Sequence, residues 1–249
     1  MKARFAKLRE YSAENARHAW LFLLPALFII IVFNVYPLFR AMLMSFQDGA
    51  TLNSLKFTGL DNYRFVFQDP RFHKSLKNTA LYAFTVVPIS LIISIFISLT
   101  IFDRIRFKHF FETLFFIPYL TSTIAIGVVF RYLFNSDYGI INYFLSFFNM
   151  GPINFLNDVK MAMPTVIIFG IWNGLAFNII ILLAALRNIP SDYYRVADMF
   201  GASKSEQFFK VTLPQLVPTL TFLLTVNLIG AFKVYSQVFA LFNGRAGVG

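Results

Sequence analysis

The sequence predicts an all-α integral membrane protein. Of its 249 residues, 57% are hydrophobic and only 14% are charged, whereas soluble domains average about 25% charged residues. A chain this apolar has too little polar surface to cover a water-soluble core, so the lipid bilayer is its predicted solvent. Segments near the roughly 20 apolar residues that a spanning helix needs occur at about 19–39, 78–102, 113–130, 161–186 and 215–242.

The distribution of basic residues predicts the orientation of these five spans. The net charge is +10, and membrane proteins concentrate Lys and Arg in their cytoplasmic loops. With residues 1–18 as a basic cytoplasmic N-terminus, the inner segments carry more basic residues than the longer outer loops. The region around 188–214 is then cytoplasmic. The outer segments 40–77 and 139–156 combine aromatic and turn residues, which favours short interfacial helices.

Several classes of function are disfavoured by motifs that the sequence lacks. It has no cysteine, its histidines are scattered at 18, 73 and 109, and no P-loop pattern occurs. We therefore expect no metal site, no catalytic residues and no bound cofactor in this chain. The predicted spans contain no carboxylates, which ion-coupled transporters usually need. Any energy for transport must then come from elsewhere, which agrees with a separate ATPase.

A polar stretch between the last two spans is built like two short helices. Pro190 ends the preceding helix, Ser191 is the predicted N-cap with Asp192 in the first turn, and Gly201 suits the left-handed position that ends a helix. A capping box then starts the second helix at Ser203, and Pro214 is expected to close it. Apolar residues at helical spacing form one face of the first helix: Tyr193, Val196, Ala197 and Phe200.

Three interpretations of this stretch compete. A DNA-binding helix-turn-helix has a similar outline, but spans at both ends would keep it out of a DNA groove, so no nucleic-acid partner is expected. An ordinary interfacial loop is the second interpretation. The third is a docking element whose apolar face fits a groove in a cytoplasmic partner.

The residues of this stretch also carry a family resemblance. "IPSDYYRVADMFGASKSEQFFKVTLPQLVP" resembles the cytoplasmic EAA loop of ABC importer permeases. It departs from the family pattern at Arg195, where a Glu is usual, and at Phe200, where an Asp is common. The resemblance implies contact with an ATPase through Tyr194, Arg195, Ala197, Gly201, Ala202, Phe208, Leu213 and Pro214.

The resemblance extends over most of the chain. "LPALFIIIVFNVYPLFRAMLMSF", "FTGLDNYRFVF", "FFIPYLTSTIAIGVVFRYLFNSDYGIIN" and, with substitutions, "FNGRAG" are similar to the maltose-type branch for carbohydrate uptake. It implies the ABC importer permease core, with residues 19–249 as the permease domain. It also implies a sixth span after these five, so we expect the sequence to be incomplete at its C-terminus.

Polar and aromatic residues in the fourth and fifth spans are the candidate substrate path. Amides and hydroxyls suit the hydroxyl groups of a sugar, and aromatic rings suit its faces, although amides in spans also bond neighbouring helices; both alternatives stay open for Asn178. Tyr119, Thr121, Ser122 and Thr123 either line the same path or simply pack. The resemblance implies a path along Asn173, Gly174, Phe177, Asn227, Gly230, Ala231 and Val234.

Together these features predict a multi-pass cell-membrane permease that imports a sugar or oligosaccharide. By the resemblance, its partners are a second related permease, a cytoplasmic ATPase dimer that uses the ATP, and an external solute-binding protein. The alternatives are a permease for another solute and, in a different class, a polytopic membrane enzyme or assembly factor.

Overall fold

The computed structural model describes residues 18–49, 54–104 and 108–242. The chain divides into two compact units, Met1–His73 and Lys74–Gly249. The basic N-terminus before residue 18 and the predicted "FNGRAG" turn from residue 243 onward lie outside the described residues.

The first unit begins with a long apolar helix, α1, at His18–Met44. A π-turn at Ile31–Val35 interrupts its α-helical hydrogen bonding, and the Tyr36 N–H donates to the Ile31 carbonyl, five residues back. Pro37 follows directly. Because proline lacks an N–H, a widened turn just before it lets the helix continue without a break.

A small polar structure follows α1. Strands β1 (Gln47–Asp48) and β2 (Lys56–Phe57) pair antiparallel, with Gln47 opposite Phe57, and helix α2 covers Asp61–Gln68. The Asn62 amide donates to the carbonyls of Ser45 and Gln47 at 3.0 and 2.9 Å, which ties α2 to the end of α1. The short helix predicted in this loop is present, and the strand pair is an addition to the predicted all-helical fold.

The second unit is entirely helical in its described part. Helix α3 begins in the first unit and enters the second. The helices from there onward are α3 (Pro70–Arg104), α4 (Lys108–Leu120), α5 (Thr123–Leu133), α6 (Ile140–Ser146), α7 (Val159–Arg187), α8 (Ser191–Met199), α9 (Lys204–Phe232) and α10 (Ser236–Phe242). Helix α6 lies in the segment for which an interfacial helix is predicted.

The predicted third span is two helices rather than one. The helices Phe110–Leu120 and Thr123–Leu133 meet at an angle of 101°. Pro118 removes one helical hydrogen bond just before the break, and Ser122 is extended with ψ of 129°. The sequence prediction of a continuous helix over 113–130 is therefore wrong.

Contacts with α7 show that this bent pair still crosses the unit. At one end, Glu112 of α4 forms an ion pair with Arg187, the last residue of α7. At the other end, the Phe134 ring lies 5.1 Å from that of Phe155, and the Phe155 carbonyl accepts from Thr165 in the second turn of α7. The pair thus runs from one end of α7 to the other as a broken span, and with α1, α3, α7 and α9 it gives five candidate spans in the described part of the chain.

The core of the second unit forms around α7. Phe169, Ile179 and Leu182 are fully buried, and the rings of Phe169 and Trp172 each lie 4.8 Å from that of Phe130 in α5. Large apolar side chains on the opposite helix faces are exposed, as expected for surfaces that meet lipid.

The fifth span starts earlier and ends earlier than predicted. Helix α9 continues from Lys204 through a π-turn at Phe208–Thr212 to Phe232. The Leu213 N–H donates to the Phe208 carbonyl, five residues back, and Pro214 follows. The prediction that Pro214 closes a short helix is wrong because the π-turn accommodates the proline, as in α1.

Candidate functional site

A cavity of about 380 Å³ lies between the helices of the second unit. Its wall is formed by α3, the break between α4 and α5, α7, α9 and the start of α10. The α4–α5 break lies at this space, since Pro118, Tyr119, Thr121 and Thr123 line it. A cavity of this size matches the lower range of small-molecule sites.

Nearly all the predicted substrate-path residues line this cavity. Val234 lies outside the lining formed by the described residues; it packs against the core in the turn after α9. Those in the wall are Asn173, Gly174 and Phe177 from α7 and Asn227, Gly230 and Ala231 from α9.

The α4–α5 break contributes an aromatic and hydroxyl wall. Tyr119, Thr121 and Thr123 line the cavity, whereas Ser122 occupies the N-cap position of α5. The Tyr119 ring stacks on that of Phe177, with centroids 5.6 Å apart and planes inclined by 23°. This stack places a flat apolar surface beside the polar groups of α7 and α9.

The sequence prediction missed the contribution of α3. Tyr82 and Ser90 line the cavity from this helix. Ser90, Ser94 and Ser98 recur every fourth residue and are all buried against the rest of the unit. This periodic run of small polar residues is visible in the sequence, and it could have indicated that one face of α3 packs closely on another helix.

An amide pair at the cavity wall joins α7 to α9. The Asn227 Nδ2 donates to the Asn178 Oδ1 at 2.7 Å and to the Leu223 carbonyl at 2.8 Å. Asn178 is fully buried, and its Nδ2 has no hydrogen-bond partner among the described residues. Of the two alternatives for Asn178, the structure shows the bond to a neighbouring helix, and its partner Asn227 lines the cavity.

The chemistry of the wall is polar but uncharged. The described residues that line the cavity offer amides, hydroxyls and aromatic rings, and none of them is a Lys, Arg, Asp or Glu. Groups of three or more potential metal ligands are absent from the described part of the chain. This arrangement can form hydrogen bonds with a neutral polar ligand and stack against an apolar face of it.

The stretch after α7 folds as two helices joined by a tight turn. Gly201 has φ of +70°, and the N–H groups of Gly201 and Ala202 donate to the carbonyls of Asp198 and Ala197, both at 3.0 Å. This is the Schellman arrangement that ends a helix. The predicted capping box between Ser203 and Glu206 is present in both directions. Ser191 is the first helical residue of α8 and Pro190 is its N-cap, so the predicted N-cap is displaced by one residue.

Side-chain contacts join α8 to α9. The Gln207 Nε2 donates to the Asp198 Oδ1 at 2.6 Å and to the Ala202 carbonyl at 3.1 Å. The Tyr194 and Thr212 hydroxyls lie 3.0 Å apart. We call these four side chains, Tyr194, Asp198, Gln207 and Thr212, the α8–α9 joint. Only Tyr194 was among the predicted coupling residues.

The predicted apolar face of α8 is open in this chain. Tyr193 and Val196 are about half exposed, and Phe200 is 87% exposed. Arg195, at the position of the usual Glu, forms an exposed ion pair with Asp192 at 3.1 Å within the same helix. The remaining predicted coupling residues lie in α8 (Ala197), in the turn (Gly201, Ala202), and in or after the π-turn of α9 (Phe208, Leu213, Pro214).

Comparison with known proteins identifies relatives along nearly the whole chain. The AraP arabinooligosaccharide permease of Bacillus subtilis is 31% identical over 95% of this chain and 75% of its own length. The LacF lactose permease of Rhizobium radiobacter is 30% identical over 97% and 80%, respectively. The UgpA sn-glycerol-3-phosphate permease of Pectobacterium atrosepticum is 32% identical over 87% of this chain and 74% of its own length.

Solved structures share the fold. A chain of a bacterial ABC transporter that imports alginate superposes with a TM-score of 0.77 at 21% identity, over 93% of this chain and 79% of that chain. The same comparison with the alginate transporter in complex with its pentasaccharide-bound periplasmic protein gives a TM-score of 0.78 at 21% identity. Residues 90–249 match the family described as "Binding-protein-dependent transport system inner membrane component". The chain therefore belongs to this family of membrane-spanning importer subunits.

Proposed function

We propose that this chain forms part of the pathway for a neutral sugar or oligosaccharide in an ATP-driven importer. The observation that carries the proposal is the cavity wall, which combines amide and hydroxyl groups with the Tyr119–Phe177 stack. Sugars present hydroxyl groups at their edges and apolar C–H faces, so both kinds of surface have a use here. Relatives that are named for arabinooligosaccharide and lactose transport support this class of substrate.

The absence of charge favours a neutral substrate over a phosphorylated one. One relative is named for sn-glycerol-3-phosphate, and the charge of a bound phosphate group is usually balanced by Arg or Lys side chains. The described residues that line the cavity include no cation. A neutral oligosaccharide therefore fits this wall better than a sugar phosphate.

The proposed partners follow from membership of the family. A second permease completes the pathway, an external solute-binding protein delivers the sugar, and a cytoplasmic ATPase dimer binds and hydrolyses the ATP. In this arrangement the chain itself has no catalytic residue. Closure of the ATPase dimer moves α8, and the spans then expose the cavity alternately to the two sides of the membrane. A membrane enzyme or assembly factor has no support among the relatives.

The test is uptake by the complete transporter in proteoliposomes. Asn173→Ala and Asn227→Ala should each raise the KM for a neutral oligosaccharide, by up to about tenfold for a lost hydrogen bond, and Phe177→Ala should raise it by removing the ring that stacks on Tyr119. Phe222→Ala is the control, because this side chain is half exposed on α9 and lies outside the cavity lining. Unchanged kinetics in all three variants, or equal competition by a sugar phosphate, would contradict the proposal.

A further inference from the structure

The turn between α8 and α9 is short, and hydrogen bonds of its backbone and of Gln207 order it. It consists of a few residues around Gly201, and a Cβ added there would meet no atom within 4 Å. The Gly201 side of the turn is therefore open. Contacts between side chains of α8 and α9 add to the backbone bonds of the turn in fixing the angle between the two helices.

Two such contacts exist, and they are spaced along α9. Gln207 is 4% exposed and bonds to Asp198 near the end of α8. Thr212, also 4% exposed, contacts Tyr194 one turn earlier in α8. Because two separated points of contact prevent both bending and rotation, α8 is fixed on α9 more firmly than one contact would allow.

The π-turn explains how both residues face α8. In a regular α-helix, residues five apart point in different directions, since one turn takes 3.6 residues. In the turn Phe208–Thr212 the bonding runs over five residues instead. The Thr212 hydroxyl donates to the Gln207 carbonyl at 3.4 Å, which shows that these two residues lie one above the other.

The same helix leads directly to the cavity. From Gln207, α9 continues without a break to Asn227 and Gly230, which line the cavity wall. At 1.5 Å per residue this distance is about 30 Å. A rotation or shift of α8 therefore reaches the wall if the α8–α9 joint is rigid, and is lost as bending of the turn if it is not.

We propose that the α8–α9 joint, built on the π-turn, makes α8 and α9 one rigid lever that couples movement at the ATPase to the cavity. Tyr194, Asp198, Gln207 and Thr212 are positioning residues in this device. The inference rests on the proposed function, because it assumes that an ATPase moves α8. It adds which side chains transmit that movement.

The experiment measures sugar uptake and ATP hydrolysis together in proteoliposomes with the complete transporter. The variants are Gln207→Met, which keeps the volume but removes the bond to Asp198, and Thr212→Val. Thr221→Val is the matched control, since its hydroxyl on the same helix donates only to the Val217 carbonyl of its own helix. We expect the sugar transported per ATP hydrolysed to fall about fivefold in both variants, the factor for one buried hydrogen bond, and to stay unchanged in the control.

A double variant provides a second readout. If Tyr194 and Thr212 act through their mutual contact, Tyr194→Phe combined with Thr212→Val should lose no more coupling than either single change. Tyr194→Phe removes only one oxygen atom and should fold, so it tests the role of the joint even if Gln207→Met does not fold. Three results would overturn this inference and leave the proposed function standing. The first is an unchanged ratio of sugar to ATP in variants that still bind the ATPase. The others are an equal loss of coupling in Thr221→Val and strictly additive losses in the double variant. An ATPase that does not bind the wild-type chain would instead contradict the proposed function.

Discussion

Asn178 shows how a residue outside the cavity controls one inside it. It is fully buried and accepts a hydrogen bond from the Nδ2 of the cavity-lining Asn227, which also donates to the Leu223 carbonyl. Without this bond, one of the two hydrogen bonds that orient the Asn227 amide is lost, and only the bond to the Leu223 carbonyl remains. The pair also links α7 to α9, which are the two helices that supply most of the predicted substrate path.

Asn178→Leu should therefore weaken substrate binding without removing any group from the cavity. We expect the KM for uptake to rise about fivefold while the maximal rate and the amount of permease in the membrane stay the same. Ser94→Ala is the control: the Ser94 hydroxyl is equally buried but has no hydrogen-bond partner among the described residues, so its removal costs little. An unchanged KM in Asn178→Leu would show that the pair only packs the helices.

At the scale of elements, the turn between α8 and α9 depends on Gly201. With φ of +70°, a β-carbon at this position costs about 1 kcal/mol. We expect Gly201→Asp to leave the chain inserted but to change the angle between the helices, so that less ATPase co-purifies and uptake is lost. Gly201→Asn is the closest comparison, because Asn tolerates this conformation better than most residues and adds no charge. Equal recovery of ATPase and equal uptake in Gly201→Asp would mean that the stretch is only a loop.

The sequence was informative about elements whose signals are local. Apolar length predicted the spans, and the capping box at Ser203 and the glycine at position 201 predicted the turn, because these signals depend on nearby residues only. The break after Pro118 and the continuation of α9 through Pro214 were not predictable in this way. A proline can end, kink or follow a π-turn in a helix, and tertiary packing decides among these outcomes.

Only part of the cavity wall was predictable from the sequence, because the fold decides which helices meet there. The amides and the aromatic residue of α7 and α9 could be selected by chemistry and by resemblance. Their neighbours Tyr82 and Ser90 come from a helix whose apolar sequence carries no mark of a binding site. The Gln207–Asp198 bond joins two ordinary surface residue types, so only the fold brings it to attention.

At the scale of the whole molecule, the cavity and the exposed face of α8 are two parts of one proposed mechanism. A neutral cavity lies within the spans, an apolar helix face is exposed on α8, and the α8–α9 joint connects the two. The central claim is that movement at α8, driven by ATP in a separate subunit, opens and closes the cavity.

ATP-dependent sugar uptake by the reconstituted transporter tests this claim most directly. Liposomes that contain this chain, its partner permease and the ATPase, with the binding protein outside, should accumulate labelled oligosaccharide only when ATP is inside. This chain purified alone should hydrolyse no ATP. Uptake that persists without this chain, or without ATP, would contradict the account.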